Sequence, residues 1–220
     1  MGQVRFTTVD GISLEGEIRE SEGRSLGAAV LCHPHPKFGG SKDHPVLWAV
    51  RNELAAHRGL TVLAFNFRGV MGSEGSHGGG KAELADVAAA VERVRGETDG
   101  PTVLVGWSFG AWVALQYALN DPTIAALALI AFPIGREVKS ANRPLPELGD
   151  LERLAMPSFL LAGDNDHICP IDAMKSLSRW IPRSETAVID GTDHFFAKRE
   201  RELATRIGEW LGGVLGAQTS

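Results

Sequence analysis

Gly106-Trp107-Ser108-Phe109-Gly110 sets a serine between two glycines, with an apolar run before it and a helical run after it. Pro101 to Val105 reads as a buried strand and Ala111 to Leu119 as a helix, so Ser108 stands on a sharp strand-to-helix turn. A serine on such a turn is held in a strained backbone conformation with its oxygen exposed, and flanking glycines let backbone pass where a Cβ would clash. The N-terminus of the following helix points N–H groups and a positive dipole end at any charge that develops there. This is an address for a nucleophile.

A serine hydroxyl is a weak nucleophile and needs a base, which in turn needs an orienting acid. In an open α/β sheet such groups belong at the carboxyl ends of different strands. Two further loops meet that requirement, in the order Ser, Asp, His. Leu160 to Ala162 is a strand end running into Gly163-Asp164-Asn165-Asp166-His167-Ile168-Cys169-Pro170, where two aspartates compete for the role. Val188-Ile189 runs into Asp190-Gly191-Thr192-Asp193-His194-Phe195-Phe196. His194 has no packing reason to stand there, so a merely solvated loop histidine is the weaker reading. Asp193 is adjacent to His194 in sequence and would project away from its ring.

The elements that must position these groups follow from periodicity. Val4 to Asp10 and Ile12 to Arg19 flank Asp10-Gly11, a hairpin signal, and their alternating polarity suits an antiparallel pair with one wet face. Strands are predicted at Leu26 to Cys32, Thr61 to Phe67, Ile124 to Ile130, Ser158 to Leu161 and Thr186 to Ile189. Helices are predicted at Pro45 to His57, Lys81 to Arg95, Ile171 to Trp180 and Lys198 to Leu215. In the second of these, Leu84, Val87, Ala88, Val91 and Val94 form the buried stripe. Strands alternating with helices imply a parallel sheet covered on both faces, the α/β class, in a single domain spanning 1–220. Ile134 to Met156 is long enough for a short helix and too short for a lid domain.

Composition excludes several classes. The chain has 220 residues, 44% hydrophobic and 22% charged, with a formal net charge of −5 and no basic run, which argues against nucleic acid or an anionic membrane as partner. No apolar stretch spans a bilayer and no signal peptide is visible, so a cytoplasmic location is expected. Cys32 and Cys169 make no disulfide framework; both read as structural thiols. Gly75 to Ala82 nearly spells a phosphate-binding loop, but Ala82 replaces the magnesium-binding hydroxyl and no strand leads in, so a flexible loop is expected. His33, His35, Asp164, Asp166 and His167 lack zinc-ligand spacing, and no metal is expected. Arg68 is read as shaping its loop rather than binding a substrate carboxylate.

Four stretches together resemble the α/β-hydrolase superfamily almost end to end, in particular small lidless bacterial hydrolases related to dienelactone hydrolases and prolyl-oligopeptidase-type esterases. They are His33 to Gly40, Asn66 to Gly75, the Ser108 turn, and Gly191 to Phe196. The resemblance implies a mostly parallel eight-stranded sheet with an N-terminal antiparallel hairpin and no large lid. It implies Ser108 as nucleophile, His194 as base and, from the pattern Gly163, Asp166 and Pro170, Asp166 as acid, with Asp164 bonding the loop backbone. One oxyanion donor would be the N–H of Phe109. Pro34 and Pro36 have no N–H, which leaves His35, Lys37 or Phe38 for the second; His35 is favoured because it follows a His-Pro standing where His-Gly is commoner. Of Trp107, Phe109, Trp112, Phe132, Phe195 and Phe196, several suit the core, while those of the Ser108 turn and the His194 loop are open to lining a pocket; Phe38, Trp107, Ile168 and Phe195 are placed in the substrate pocket. The implied activity is metal-independent and cofactor-free serine hydrolysis of small carboxylic esters or thioesters. An aminopeptidase or amidase and a slow, receptor-like ligand binder are the alternatives; a perhydrolase would share the triad. The expected partner is a small ester or thioester substrate, and a homodimer is compatible with the chain.

Overall fold

The computed structural model describes residues 2–134 and 147–216. The hairpin consists of β1 (Gly2–Thr7) and β2 (Ser13–Arg19), paired antiparallel with Phe6 opposite Leu14. β1 ends at Thr7 rather than Asp10 because the next residues enter the turn. Thr8 Oγ1 donates to Asp10 Oδ1 at 2.6 Å, and the Asp10 carboxylate accepts two bonds from Arg68.

β3 (Gly27–Cys32), β4 (Leu60–Phe65), β5 (Thr102–Trp107), β6 (Ile124–Ile130), β7 (Ser158–Gly163) and β8 (Ser184–Ile189) complete an eight-stranded sheet in the order β1-β2-β4-β3-β5-β6-β7-β8. From β4 to β8 all neighbours run parallel. Every residue of β3, β4, β5 and β7 is buried, which a parallel sheet achieves only with helices on both faces. α1 (Pro45–His57) packs with α6 (Glu200–Gly216) on one side, and α2 (Glu83–Arg95) with α3 (Phe109–Ala118) on the other. Two shorter helices, α4 (Leu148–Leu151) and α5 (Ile171–Ser178), follow β6 and β7. The expected irregular stretch from 134 to 156 thus carries a short helix in its described part; its residues 135–146 lie outside the described residues.

Three local expectations need correction. Leu26 is not part of β3: it is 52% exposed, and its N–H bonds Gly59 O in the connecting turn. α3 begins at Phe109, directly after Ser108, because Trp112 N already donates to Ser108 O at 3.1 Å. On α2, Val87, Val91 and Val94 are buried as the stripe requires, yet Glu83 and Asp86 are fully buried beside them while Ala88 is only half-buried. Apolar periodicity does not reveal carboxylates buried against polar partners, here the Gly78 and Gly80 N–H groups for Glu83 and Arg68 for Asp86.

β3 is flanked by β4 on one side and β5 on the other, so the chain winds away from this pair in opposite directions. A crevice opens at the carboxyl ends of strands at such a reversal. Cys32 and Gly106 are register partners at the ends of β3 and β5, which brings the loops carrying His35 and Ser108 to that crevice.

Candidate active site

Ser108 has φ 54° and ψ −116°, a conformation in which its N–H still bonds Ile130 O at 2.8 Å. A non-glycine residue held there is strained, and the surrounding packing must impose it. The two glycines make that packing feasible. A Cβ on Gly106 would lie 2.4 Å from Gly110 O, and one on Gly110 would lie 2.1 Å from Cys32 O. Both approaches are to backbone, so α3 sits as close to β5 and β3 as main chain permits.

Three loops bring three side chains into line. His194 Nε2 is 2.9 Å from Ser108 Oγ, and His194 Nδ1 is 2.8 Å from Asp166 Oδ2. The other carboxylate oxygen, Asp166 Oδ1, accepts the N–H groups of Ile168 and Cys169 at 2.8 Å each. An ionised carboxylate only accepts, so it places the proton on Nδ1 and leaves Nε2 as the acceptor facing the serine hydroxyl. Asp166 and His194 are 4% and 6% exposed, which shields this chain of bonds from competing water. Trp107 Nε1 donates to His194 O at 3.2 Å and thereby ties the histidine loop to the end of β5.

The neighbouring aspartates have backbone roles. Asp164 Oδ1 accepts Thr192 N at 3.1 Å, joining the acid loop to the histidine loop. Backbone donors, Gly191 first, hold its carboxyl below the usual range. Asp193 Oδ1 accepts Phe195 N at 3.0 Å.

The loop after β3 forms the opposite wall. His33 is fully buried: Nδ1–H donates to Pro34 O at 2.6 Å and Nε2 accepts Phe67 N at 3.0 Å, so the ring staples this loop to the one after β4. Burial pushes its pKa down to about 4. His35 caps a short 3-10 turn, Pro36–Phe38. Lys37 N is committed to His35 Nδ1 at 3.1 Å and Phe38 N to His35 O at 3.0 Å. The His35 ring lies 5.2 Å from that of Phe109, the first residue of α3, so the two residues expected to present oxyanion donors are neighbours.

Between these walls lies a cavity of about 290 Å³ lined by Ser108, His194, His35 and the four residues expected there, Phe38, Trp107, Ile168 and Phe195. Phe38 and Phe195 are 85% and 57% exposed and stand at the rim, whereas Trp107 is buried. Trp112, Phe132 and Phe196 are core residues. His44 also lines the cavity and was not anticipated. Its signal was local but faint: it precedes Pro45, the first residue of α1, where a cap residue belongs.

The weaker motifs resolve into scaffolding. Glu83 accepts Gly78 N at 2.8 Å and Gly80 N at 2.7 Å, so a carboxylate of the chain itself occupies the donors of the glycine-rich loop. Its Oε1 is also 2.8 Å from His77 Nδ1. Arg68 is clamped between Asp86 and Asp10. Burial pushes the thiols of Cys32 and Cys169 well above their usual range, which keeps them protonated and unreactive. Among the described residues no three His, Cys, Asp or Glu side chains are grouped to hold a metal ion, and no helix is long and apolar enough to cross a membrane.

A strained serine at a strand-to-helix turn, on a sheet of this order, defines a class of protein. The chain belongs to the alpha/beta hydrolase domain family, whose model matches residues 28–212. It is 29% identical over 219 residues to an uncharacterized protein of Rickettsia prowazekii, covering 96% of this chain and 89% of that one. Among solved structures it resembles an alpha-beta serine hydrolase homologue from Coxiella burnetii, at 28% identity and TM-score 0.82, covering 96% and 97% of the two chains. It also resembles a lidless a/b serine hydrolase from Xanthomonas campestris, at 26% identity and TM-score 0.79, covering 94% and 92%.

Proposed function

We propose that the protein is a metal-independent serine esterase that cleaves small carboxylic esters or thioesters through an acyl-enzyme on Ser108. The observation that carries this reading is the bond of 2.9 Å between Ser108 Oγ and His194 Nε2 at the floor of a cavity. Ser108 Oγ attacks the ester carbonyl as its proton passes to Nε2. Asp166 keeps Nδ1 protonated, orients the ring and stabilises the imidazolium. The negative charge that forms on the carbonyl oxygen is met by the backbone N–H groups of Phe109 and His35. The carbon–oxygen (or carbon–sulfur) bond then breaks as Nε2–H protonates the leaving group. Water, deprotonated by the same nitrogen, attacks the acyl-enzyme; collapse returns the proton to Ser108 and releases the acid.

The cavity volume supports a small substrate, since 290 Å³ lies at the lower end of ligand pockets. Esters are favoured over peptides because, among the described residues, no charged side chain lines the cavity to hold a peptide terminus. The test is a p-nitrophenyl ester series from acetate to dodecanoate, with Ser108→Ala as control. Rates falling with chain length and abolished by the substitution are expected; equal rates in both proteins would overturn the reading.

A further inference from the structure

Among the described residues, the polar side chains lining the cavity are Ser108 and the imidazoles of His35, His44 and His194. His194 is committed to Ser108 and Asp166. His44 differs. It is the N-cap residue of α1, and its Nδ1 accepts the N–H of Val46 at 3.4 Å. A neutral ring that accepts at Nδ1 carries its proton on Nε2. That nitrogen has no hydrogen-bond partner among the described residues. The ring is held edge-on against Trp107, with centroids 4.4 Å apart, so it cannot swing freely. Burial lowers its pKa, which keeps it a neutral donor rather than a cation at neutral pH.

We infer that His44 is a specificity-determining residue that donates its Nε2–H to an acceptor oxygen of the substrate, so that the site prefers uncharged esters carrying an ether, hydroxyl or carbonyl oxygen near the scissile bond. A half-buried donor that finds no partner among the described residues rewards a ligand that supplies one, and a purely hydrocarbon substrate leaves it unsatisfied. Among the described residues no charged side chain lines the cavity, which sets the other limit: a carboxylate-bearing substrate would lose its hydration there with no cation among them to receive it. The inference rests on the esterase reading and adds a substrate class to it.

The experiment compares isosteric pairs in wild type and in His44→Asn. On the acyl side the pair is p-nitrophenyl methoxyacetate and p-nitrophenyl butyrate; on the alcohol side it is 2-methoxyethyl acetate and butyl acetate, followed by acid release. Dividing kcat/KM within each pair and then comparing enzymes cancels the intrinsic reactivity of the esters. Asn is a favoured N-cap residue, so it restores the cap of α1 while withdrawing the donor from the cavity. The oxygenated-to-plain ratio is expected to fall about tenfold in one arm, mainly through KM, because one hydrogen bond is lost in ground and transition state alike. His44→Ser, a second capping variant, should reproduce the fall. Unchanged ratios in both arms would show that His44 only caps the helix, overturning the inference while leaving the esterase intact. Failure of the wild type to turn over any of the four esters would overturn the esterase reading and this inference with it.

Discussion

Asp166→Asn separates the orienting role of the carboxylate from its role in the loop. Asn keeps one carbonyl oxygen, which can go on accepting Ile168 N and Cys169 N where Asp166 Oδ1 accepts both at 2.8 Å. Its NH2 group then takes the place of Oδ2, 2.8 Å from His194 Nδ1. A donor there requires an unprotonated Nδ1, which moves the ring proton to Nε2, 2.9 Å from Ser108 Oγ. The base then faces the nucleophile with a hydrogen rather than a lone pair. Reversing that tautomer in the buried site means breaking one hydrogen bond and opposing two donors. The expected loss in kcat is about a thousandfold to ten-thousandfold, or about 4–5.5 kcal/mol of barrier. Stability changes far less, because the loop bonds survive without their charge; about 1–2 kcal/mol is lost, or about 2–8 °C in Tm. The assay is steady-state hydrolysis of p-nitrophenyl acetate beside a thermal melt. A folded Asp166→Asn protein retaining more than a tenth of wild-type kcat would refute the tautomer argument. A collapse of Tm would instead make Asp166 chiefly a brace for its loop.

Two predictions concern stability. His33 has its pKa lowered by burial to about 4, so between that value and its unfolded value of about 6.5 the unfolded chain binds the extra proton. Stability should therefore be greatest above pH 6.5 and fall as the pH drops toward 4, by up to about 3 kcal/mol from this residue. Urea melts across that range should show a shallower slope in His33→Asn than in wild type; parallel slopes would mean that the ring titrates normally in the fold. For Glu83→Ala, the N–H groups of buried Gly80 and exposed Gly78 lose their acceptor, at a cost of about 1–3 kcal/mol, most of it at Gly80. Denaturant unfolding measures it, and a loss under 1 kcal/mol would show that water satisfies the loop equally well.

Much of this protein was legible in its residues because the informative signals are local. A glycine-flanked serine between a strand and a helix dictates its own strained turn. Gly163-Asp164-Asn165-Asp166 and the loop around His194 each announce themselves within a dozen positions, and strands that are apolar throughout declare a sheet buried on both faces. Family resemblance then chose Asp166 over Asp164; in the fold Asp166 Oδ2 lies 2.8 Å from His194 Nδ1 and Asp164 Oδ1 accepts Thr192 N. The limits of elements were less legible where a distant partner decides them, as when Arg68 draws Asp10 into the turn and ends β1 early. The same holds for Asp86, buried on α2 against the Arg68 guanidinium that the fold brings in. Glu83 beside it is compensated locally, by the N–H groups of Gly78 and Gly80 in the loop just before the helix, a pairing that apolar periodicity does not report. His44 was invisible as a site residue for the same reason as Asp86: α1 packs against the β3–β4 pair, and that packing carries its first residues to the edge of the Ser108 cavity. Chain-local chemistry is written in the order of residues. Which distant charges are paired, and which imidazole comes to line the cavity, depends on the three-dimensional approach of segments far apart in the chain.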